Sequence, residues 1–203
     1  MSILLLFIYR KHRRRSQNKT KKSCGSKVLF LNPDTEIDGT AINIIYDYLQ
    51  KLPSVGALGC KLLNTDRTIQ TSCIHSFPSI VNQMLDSEFL RRKIPTSFLW
   101  GIAPLFNNNQ VPSLVDAISG ACIMMERKVF EQIGKFSEEY FMFTEDIDLC
   151  YKAKKAGYLN YYVPEASIVH HGGGSSQEAK CNFAVVMMRE SMYQFLMKTK
   201  GHS

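Results

Sequence analysis

A cluster of three carboxylates is the part of this sequence best suited to chemistry. Glu145, Asp146 and Asp148 fall within four positions, directly after an aromatic run that contains Phe141 and Phe143. Aromatic side chains favour burial, whereas carboxylates need water, a cation or a proton donor. We therefore expect this junction to form the rim of a pocket, with the two phenylalanines buried behind it.

Helix geometry separates the acids of this cluster. Thr144 is a residue of the N-capping type and Gly157 can end a helix, so the sequence predicts a helix over 145–156. Acids in a first turn offset the helix dipole by about 0.3–1 kcal/mol each, which could alone explain their presence. Positions i and i+2 lie on different helix faces. We therefore expect one of Asp146 and Asp148 to face a cleft while the other caps backbone.

Two further polar groups lie where predicted strands end. Asn32-Pro33-Asp34 follows an apolar run, and His170-His171 precedes three glycines. Ligands of an open parallel sheet bind at the carboxyl ends of its strands, where an aspartate can hold a hard cation and a neutral imidazole can ligate a metal. The alternatives are a simple type I turn and an ordinary surface histidine. Neighbours in a strand face opposite sides, so at most one histidine can enter the site.

The elements that must position these groups alternate between strand and helix. This alternation predicts an α/β fold with a mostly parallel sheet. The predicted strands are 27–31, 55–63, a pair within 115–125, and 158–163 and 167–170 on either side of Pro164; the predicted helices are 41–52 with Asp38 as N-cap, 127–133, 145–156 and 177–197. Residues 64–112 are expected to form loops and short elements.

The basic charge of the chain is confined to its start. The 203 residues carry a net charge of +7, yet residues 1–27 hold nine of the 25 Lys/Arg and none of the 18 Asp/Glu. The remainder is slightly acidic, so the composition excludes a uniformly basic protein that coats nucleic acid, and no nucleic acid partner is expected.

Six scattered cysteines form no C-x-x-C pair. Several lie in apolar runs, as Cys122 does. This pattern predicts free, mostly buried thiols in a reducing cytosol, and neither a disulfide framework nor a zinc site.

The N-terminus combines a short apolar run at 3–9 with the basic cluster at 10–15. Seven apolar residues cannot span a bilayer, and a signal peptide would place its charge before its apolar part. The alternatives are a weak interfacial membrane anchor or a disordered tail, and the tail is favoured because one short apolar run binds lipid only marginally. We expect residues 1–26 to be a poorly ordered basic tail and 27–200 to form the folded domain.

Taken in order, the motifs resemble those of glycosyltransferase family 2, in particular its rhamnosyltransferase-like branch. The resemblance covers about residues 18 to 200 and rests on an ordered series of segments. These are 29–35 (LFLNPDT), 119–122 (SGAC), 136–150 with FMFTEDIDLC at its end, 156–158 (AGY), 163–166 (VPEA) and 169–175 (VHHGGGS).

The resemblance implies a GT-A fold of Rossmann-like type and an inverting transfer from a nucleotide-sugar donor, TDP- or UDP-linked, with Mg or Mn. By position, Asp146 matches the family's general base. Asp34 matches the metal-binding acid of its D-x-D-type motif, with Asn32 at the first position of that motif. His170 matches a histidine that helps to hold metal and diphosphate, and Gly120 matches the small residue where donor sugar and acceptor meet the backbone.

Three more residues complete the expected substrate-binding set. Ala121 follows Gly120, and Glu145 and Asp148 flank the base as supporting residues at the start of the helix. The acceptor that the resemblance implies is a cell-envelope polysaccharide or a polyprenyl-linked glycan, and the transferred sugar is rhamnose-like. The implied localisation is cytoplasmic, with peripheral contact at the inner face of the cell membrane.

Family members begin with a nucleotide-binding half that has no counterpart here. The expected cause is a truncated or frame-shifted coding sequence, which would leave the sheet with an open edge and an uncovered apolar face. Three interpretations follow. The chain is the catalytic and acceptor-binding half of a transferase, or a non-catalytic remnant or glycan-binding module without donor binding, or a small membrane-surface protein that acts through its tail.

Overall fold

The computed structural model describes residues 3–7, 25–79, 111–172 and 182–200. Its strands are β1 (Ile3–Phe7), β2 (Lys27–Leu31), β3 (Thr35–Ile37), β4 (Val55–Leu63), β5 (Ile74–His75), β6 (Ser113–Val115), β7 (Ala117–Ile118), β8 (Cys122–Glu126) and β9 (Leu159–His170). Its helices are α1 (Ala41–Lys51), α2 (Arg127–Gln132), α3 (Glu145–Lys155) and α4 (Asn182–Lys200), with a 3-10 turn at Thr71–Cys73.

The described strands build one central sheet in the order β1-β2-β8-β4-β9-β3, with β6 also paired to β9. β1 is parallel to β2, and β4 is parallel to β9. β8 runs antiparallel between β2 and β4, and β3 and β6 are antiparallel to β9. The predicted α/β class is confirmed, and its sheet is mixed, with four strands running one way and three the other.

Side-chain alternation along β2 explains why helices cover both faces of the sheet. Val28 and Phe30 pack in one core, with residues of α2, α3 and α4, while Leu29 and Leu31 pack in the other, with α1. The ring of Phe30 lies 4.9 Å from those of both Phe130 and Phe136. The expectation of an uncovered apolar face is therefore wrong for this strand, since both of its faces are buried.

Two of the differences from the sequence prediction concern strands of the central sheet. Ile3–Phe7, expected to lie in a poorly ordered tail, is a strand at the edge of the sheet. β9 continues through Pro164 instead of breaking there, because the pairing with β4 shifts register between Cys60 and Lys61. Such an irregularity lets a strand accommodate a residue without an N–H donor.

The prediction of free, mostly buried thiols is confirmed for the four cysteines that the structure describes. Cys60, Cys73, Cys122 and Cys150 are free and buried. Cys24 and Cys181 lie outside the described residues. No helix in the described part of the chain is both long and apolar enough to cross a bilayer.

Candidate active site

The turn after β2 brings Asp34 to His170. The chain leaves β2 at Asn32, turns at Pro33, and is held by a hydrogen bond of 3.3 Å from Thr35 N to the Asn32 carbonyl. β3 then pairs antiparallel with the end of β9, which sets Thr35 opposite His170. The predicted turn is confirmed, and the antiparallel return is the reason that two residues 136 positions apart meet.

His170 has a defined environment. Its Nδ1 lies 2.7 Å from Gln70 Oε1, and the tautomer with its proton on Nδ1 would donate to this amide oxygen. In the neutral ring, Nε2 then presents its lone pair to the Asn32 amide nitrogen at 3.2 Å, with Asp34 Oδ1 3.4 Å from the same Nε2. An acceptor nitrogen beside a carboxylate is a donor set that suits a divalent cation.

The described residues offer too few ligands to bind a metal ion without further groups. The described residues contain no group of three or more His, Cys, Asp or Glu that could bind a metal. If Asp34 and His170 held a metal ion they would supply two ligands, and phosphate oxygens or water would have to supply the others. The Asp34 side chain is 34% exposed, so it is accessible to such a ligand.

His171 faces away from this group. Its Nε2 lies 3.2 Å from Glu36 Oε2, and its Nδ1 lies 3.2 Å from Thr65 Oγ1. The two histidines thus take opposite sides of the strand end, as the alternation of side chains predicts. Only His170 joins the polar group at Asp34.

Asp146 is fixed by two backbone amides. Gly120 N donates to its Oδ2 at 2.7 Å, and Ile147 N, in the first turn of α3, donates to its Oδ1 at 2.8 Å. A Cβ on Gly120 would lie 3.4 Å from the Asp146 carboxylate, so residue 120 and the acid are in close contact. Each carboxylate oxygen keeps a second lone pair, which a hydroxyl group could use.

Backbone pairing joins the Asp146 group to the Asp34 group. Asn32 N donates to the Ala121 carbonyl at 3.1 Å, extending the β2–β8 ladder by one residue. Ala121 N donates a hydrogen bond of 3.3 Å to Ser119 Oγ. The Ala121 side chain is 1% exposed, which leaves it no surface for a ligand. Its predicted role in substrate binding is therefore replaced by that of a backbone link between two polar groups.

The aromatic run before α3 is not the buried wall that the sequence suggested. Phe141 is 66% exposed and Phe143 is half-buried. Phe143 and Thr144 both have left-handed backbone, with φ of 63° and 65°. This conformation costs a residue with a side chain about 1–2 kcal/mol. Thr144 occupies the N-cap position of α3 but makes no side-chain cap, so the predicted capping role is wrong.

Asp148 is a structural residue, which corrects the prediction that it binds substrate. Its side chain is fully buried. Ser137 Oγ donates to Oδ2 at 2.5 Å and Tyr140 OH to Oδ1 at 3.3 Å. Lys152 Nζ lies 3.3 Å from Oδ2 and Lys198 Nζ lies 3.0 Å from Oδ1. Asp148 thereby ties α4, the end of α3 and the preceding loop together.

The ionisation of Asp148 follows from these partners. Burial alone would raise the pKa of this carboxyl group, because it disfavours the charged form. The hydrogen bond from Ser137 and the charges of Lys152 and Lys198 outweigh burial, and the pKa of Asp148 is lowered.

The separation of Asp146 from Asp148 by helix face is confirmed, since Asp146 contacts Gly120 and Asp148 is enclosed.

Glu145 is the first residue of α3 and is half-buried. Its role in substrate binding stays a prediction.

No sequence signal indicated two residues of the site. Gln70 lies in an irregular segment without a pattern, and Lys198 is 50 positions from its carboxylate partner Asp148. Lys152 could have been found, because it lies at i+4 from Asp148 on a predicted helix.

Comparison with known proteins identifies the family. The family model described as "Glycosyltransferase like family 2" matches residues 11–189. The chain belongs to glycosyltransferase family 2. The match begins before residue 18, where the motifs alone placed the start of the resemblance, and it includes residues 11–15 of the basic cluster.

Curated relatives fall in the branch that the motifs indicated. The chain is 31% identical over 153 residues to the N-acetylglucosaminyl-diphospho-decaprenol L-rhamnosyltransferase of Mycobacterium tuberculosis, covering 73% of this chain and 48% of the relative. It is 25% identical over 151 residues to the rhamnosyltransferase WbbL of Escherichia coli, covering 71% and 52%. The chain thus matches only about half the length of these relatives.

A solved structure supports the fold. The crystal structure of GalNAc-T7 with UDP, GalNAc and Mn²⁺ aligns with a TM-score of 0.53 at 14% identity, covering 79% of this chain and 30% of that one. At this identity the likeness concerns the fold alone, and it agrees with the predicted GT-A architecture.

Proposed function

We propose that this chain carries the catalytic and acceptor-binding half of an inverting glycosyltransferase. The transferred sugar is rhamnose-like, the donor is a TDP- or UDP-sugar, and the acceptor is a cell-envelope polysaccharide or a polyprenyl-linked glycan. The observation that carries the proposal is the placement of Asp146. Its carboxylate is held by Gly120 N and Ile147 N, and the backbone joins it through residue 121 to the Asp34–His170 group.

The proposed chemistry assigns one proton transfer to Asp146. The acceptor hydroxyl oxygen forms a bond to the anomeric carbon, the bond from that carbon to the diphosphate oxygen breaks, and the hydroxyl proton passes to the Asp146 carboxylate. The two backbone donors keep the carboxylate in one orientation, so that a lone pair is available to the hydroxyl group. No covalent nucleophile is needed in a single inverting displacement.

Asp34 and His170 would hold a divalent cation, Mg or Mn. When bound, such an ion supplies positive charge to the leaving nucleoside diphosphate. Two features support this assignment: His170 Nε2 lies 3.4 Å from Asp34 Oδ1, and the Asp34 carboxylate is accessible. In a fusion of the chain to the upstream half of a relative, Asp34→Asn should weaken Mn²⁺ binding measured by calorimetry with nucleoside diphosphate present, and Asp47→Asn, on the exposed side of α1, should not.

The test of the proposal is a transfer assay with TDP-rhamnose and UDP-sugars on a polyprenyl-diphosphate glycan acceptor. The chain is assayed alone and after fusion to the upstream half of a relative. Asp146→Asn should reduce transfer by about 10²–10⁴-fold, with Asp47→Asn as the matched control. Transfer retained by Asp146→Asn in an active fusion would refute the base assignment.

A second candidate is a non-catalytic remnant or glycan-binding module. The observation that favours it is the coverage of 48% and 52% of the rhamnosyltransferase relatives. We expect the chain by itself to bind nucleoside diphosphate poorly, because the family places much of that site in the segment before β2. Micromolar binding of UDP or TDP with Mn²⁺ would contradict this expectation and favour the catalytic candidate.

We also propose a cytoplasmic location in peripheral contact with the inner face of the membrane. A polyprenyl-linked acceptor would require such a position. Exposed apolar side chains near the candidate site are compatible with it, among them Phe141 and, on α4, Phe183 and Val186. A flotation assay with anionic vesicles tests the proposal, and recovery of the chain only in the soluble fraction would contradict it.

A further inference from the structure

The loop that leads into α3 is held from outside by the C-terminal helix. We call residues 137–144 the base loop, because it ends two residues before Asp146. α4 contacts the base loop and the start of α3 at three places. These contacts are the ring of Phe183 at 6.1 Å from that of Phe141, Ser191 Oγ at 2.7 Å from the Met142 carbonyl, and Lys198 Nζ at 2.6 Å from Glu139 and 3.0 Å from Asp148.

Ser191 makes the central contact of the three. It is a buried polar residue, 2% exposed, on the face of α4 that also carries buried Phe195. Its hydroxyl donates to the carbonyl of Met142, 49 positions away. The hydrogen bond therefore joins two distant parts of the chain and does not serve the helix on which Ser191 lies.

The residues that follow this carbonyl have the unfavourable conformation. Phe143 and Thr144 are consecutive left-handed residues with side chains, and Thr144 is β-branched. Such conformations persist only where the surroundings hold them, and they concentrate at functional sites. The next residues open α3, where Asp148 N bonds to the Thr144 carbonyl at 2.8 Å.

We infer that Ser191 is a positioning residue for Asp146. By fixing the Met142 carbonyl it holds the left-handed pair at 143 and 144, which sets the direction of the first turn of α3. That turn determines whether the Asp146 carboxylate meets Gly120 N. The inference rests on the proposed function of Asp146 as the base.

Hydrogen exchange of the Gly120 amide, measured by NMR, tests this chain of contacts without requiring transfer. Ser191→Ala removes the donor, and loss of one such hydrogen bond should speed exchange at Gly120 about tenfold through local opening. Amides in α1 should keep their wild-type rates. Thr199→Ala is the matched control, because it removes another α4 hydroxyl whose partner is the Phe195 carbonyl of the same helix.

A second substitution, Thr144→Gly, tests whether Ser191 acts by holding the left-handed backbone or only by filling space in the core. Glycine adopts positive φ without steric cost, so Ser191→Ala/Thr144→Gly should restore slow exchange at Gly120. Ser191→Cys, with a weaker donor of similar size, should give an intermediate rate and replaces Ser191→Ala if that variant does not fold. Unchanged exchange at Gly120 in Ser191→Ala, equal acceleration at all amides, or no recovery in the double variant would each overturn the inference.

Kinetics distinguish this inference from the proposed function. In the fusion that transfers sugar, Ser191→Ala should lower kcat about tenfold, matching the exchange, and leave the donor KM unchanged. Ser191→Ala/Thr144→Gly should recover the wild-type kcat. Absence of transfer by any wild-type fusion, with the exchange pattern as expected, would refute the proposed function and still support the positioning role of Ser191. Transfer without that exchange pattern would refute the positioning role alone.

Discussion

Replacing Asp148 by asparagine should cost the fold more than any other single change of charge in the described site. The carboxylate is fully buried and has Ser137, Tyr140, Lys152 and Lys198 around it. Asparagine nearly preserves the volume and keeps one oxygen acceptor. It removes the negative charge and places an N–H₂ group toward one of the lysines.

The size of the effect follows from the surroundings of the two lysines. Removing one partner of a buried ion pair costs about 3–5 kcal/mol. The Lys152 and Lys198 side chains are 19% and 39% exposed, so both can recover some hydration, and Lys198 keeps Glu139 at 2.6 Å. We therefore expect the low end, about 3 kcal/mol of unfolding free energy. For a chain of this size that corresponds to a fall in Tm of about 6–12 °C.

Urea denaturation followed by circular dichroism measures this loss. Asp38→Asn is the control, because Asp38 pairs with Arg67 at 2.6 Å while both side chains are about half exposed. Exposed pairs contribute about 0–1 kcal/mol. If Asp148→Asn and Asp38→Asn destabilise the chain equally, the buried network is not what holds α4 to α3.

The pH dependence gives an independent check on the same network. Folding lowers the pKa of Asp148, so the folded state binds the proton less tightly than the unfolded state does. The Asp148 carboxylate therefore makes its full contribution to the free energy of unfolding above the unfolded carboxyl pKa of about 4. This contribution is lost as the pH falls through the lower pKa of the folded state. The stability difference between wild type and Asp148→Asn should be constant from about pH 7 to 5 and narrow below about pH 4. A difference that grows on acidification would refute the reasoning.

Two further predictions concern the core. In Gly56→Ala, the new Cβ would lie 2.8 Å from Ala153 Cβ and 2.9 Å from Asn160 Oδ1, so we expect a loss of about 1–3 kcal/mol in thermal or urea unfolding; a change below about 0.5 kcal/mol would show that α3 moves aside freely. The hydrogen bond to Cys122 and burial raise the pKa of Cys60 well above its usual range. Mass-mapped labelling of Cys60 and Cys122 by a thiol reagent should therefore follow global unfolding, and rapid labelling in the native state would contradict this.

The features that the sequence predicted correctly depend on residues that are neighbours in the chain. The five-residue apolar run at 27–31 forms β2 within its predicted bounds. The turn at Asn32-Pro33 and the strand end at His170 follow from residue types, and the helical period separates Asp146 from Asp148. The resemblance implied that Asp34 and His170 serve one metal, and the pairing of β3 with β9 brings the two residues together.

The features that the sequence did not predict depend on distant partners. Pro164 predicts a strand break in isolation, and only the register shift of β4 against β9 shows how the strand continues. Phe141 is exposed with its ring next to that of Phe183 on α4, and Phe143 has left-handed backbone, neither of which its own segment of sequence indicates. No spacing between residues about 50 positions apart could have indicated the bond from Ser191 to Met142.

The structure also explains why the acids of α3 occur so close together. Asp146 contacts Gly120 across the site, and Asp148, one-half turn further, is enclosed by groups from α4 and the base loop. Because the same first turn carries both, a shift that breaks the contacts of Asp148 also moves Asp146. Loss of transfer in an Asp148 variant would therefore not make Asp148 a catalytic residue. The proposed base and its structural neighbour are distinguished by the Gly120 amide, which donates a hydrogen bond to Asp146.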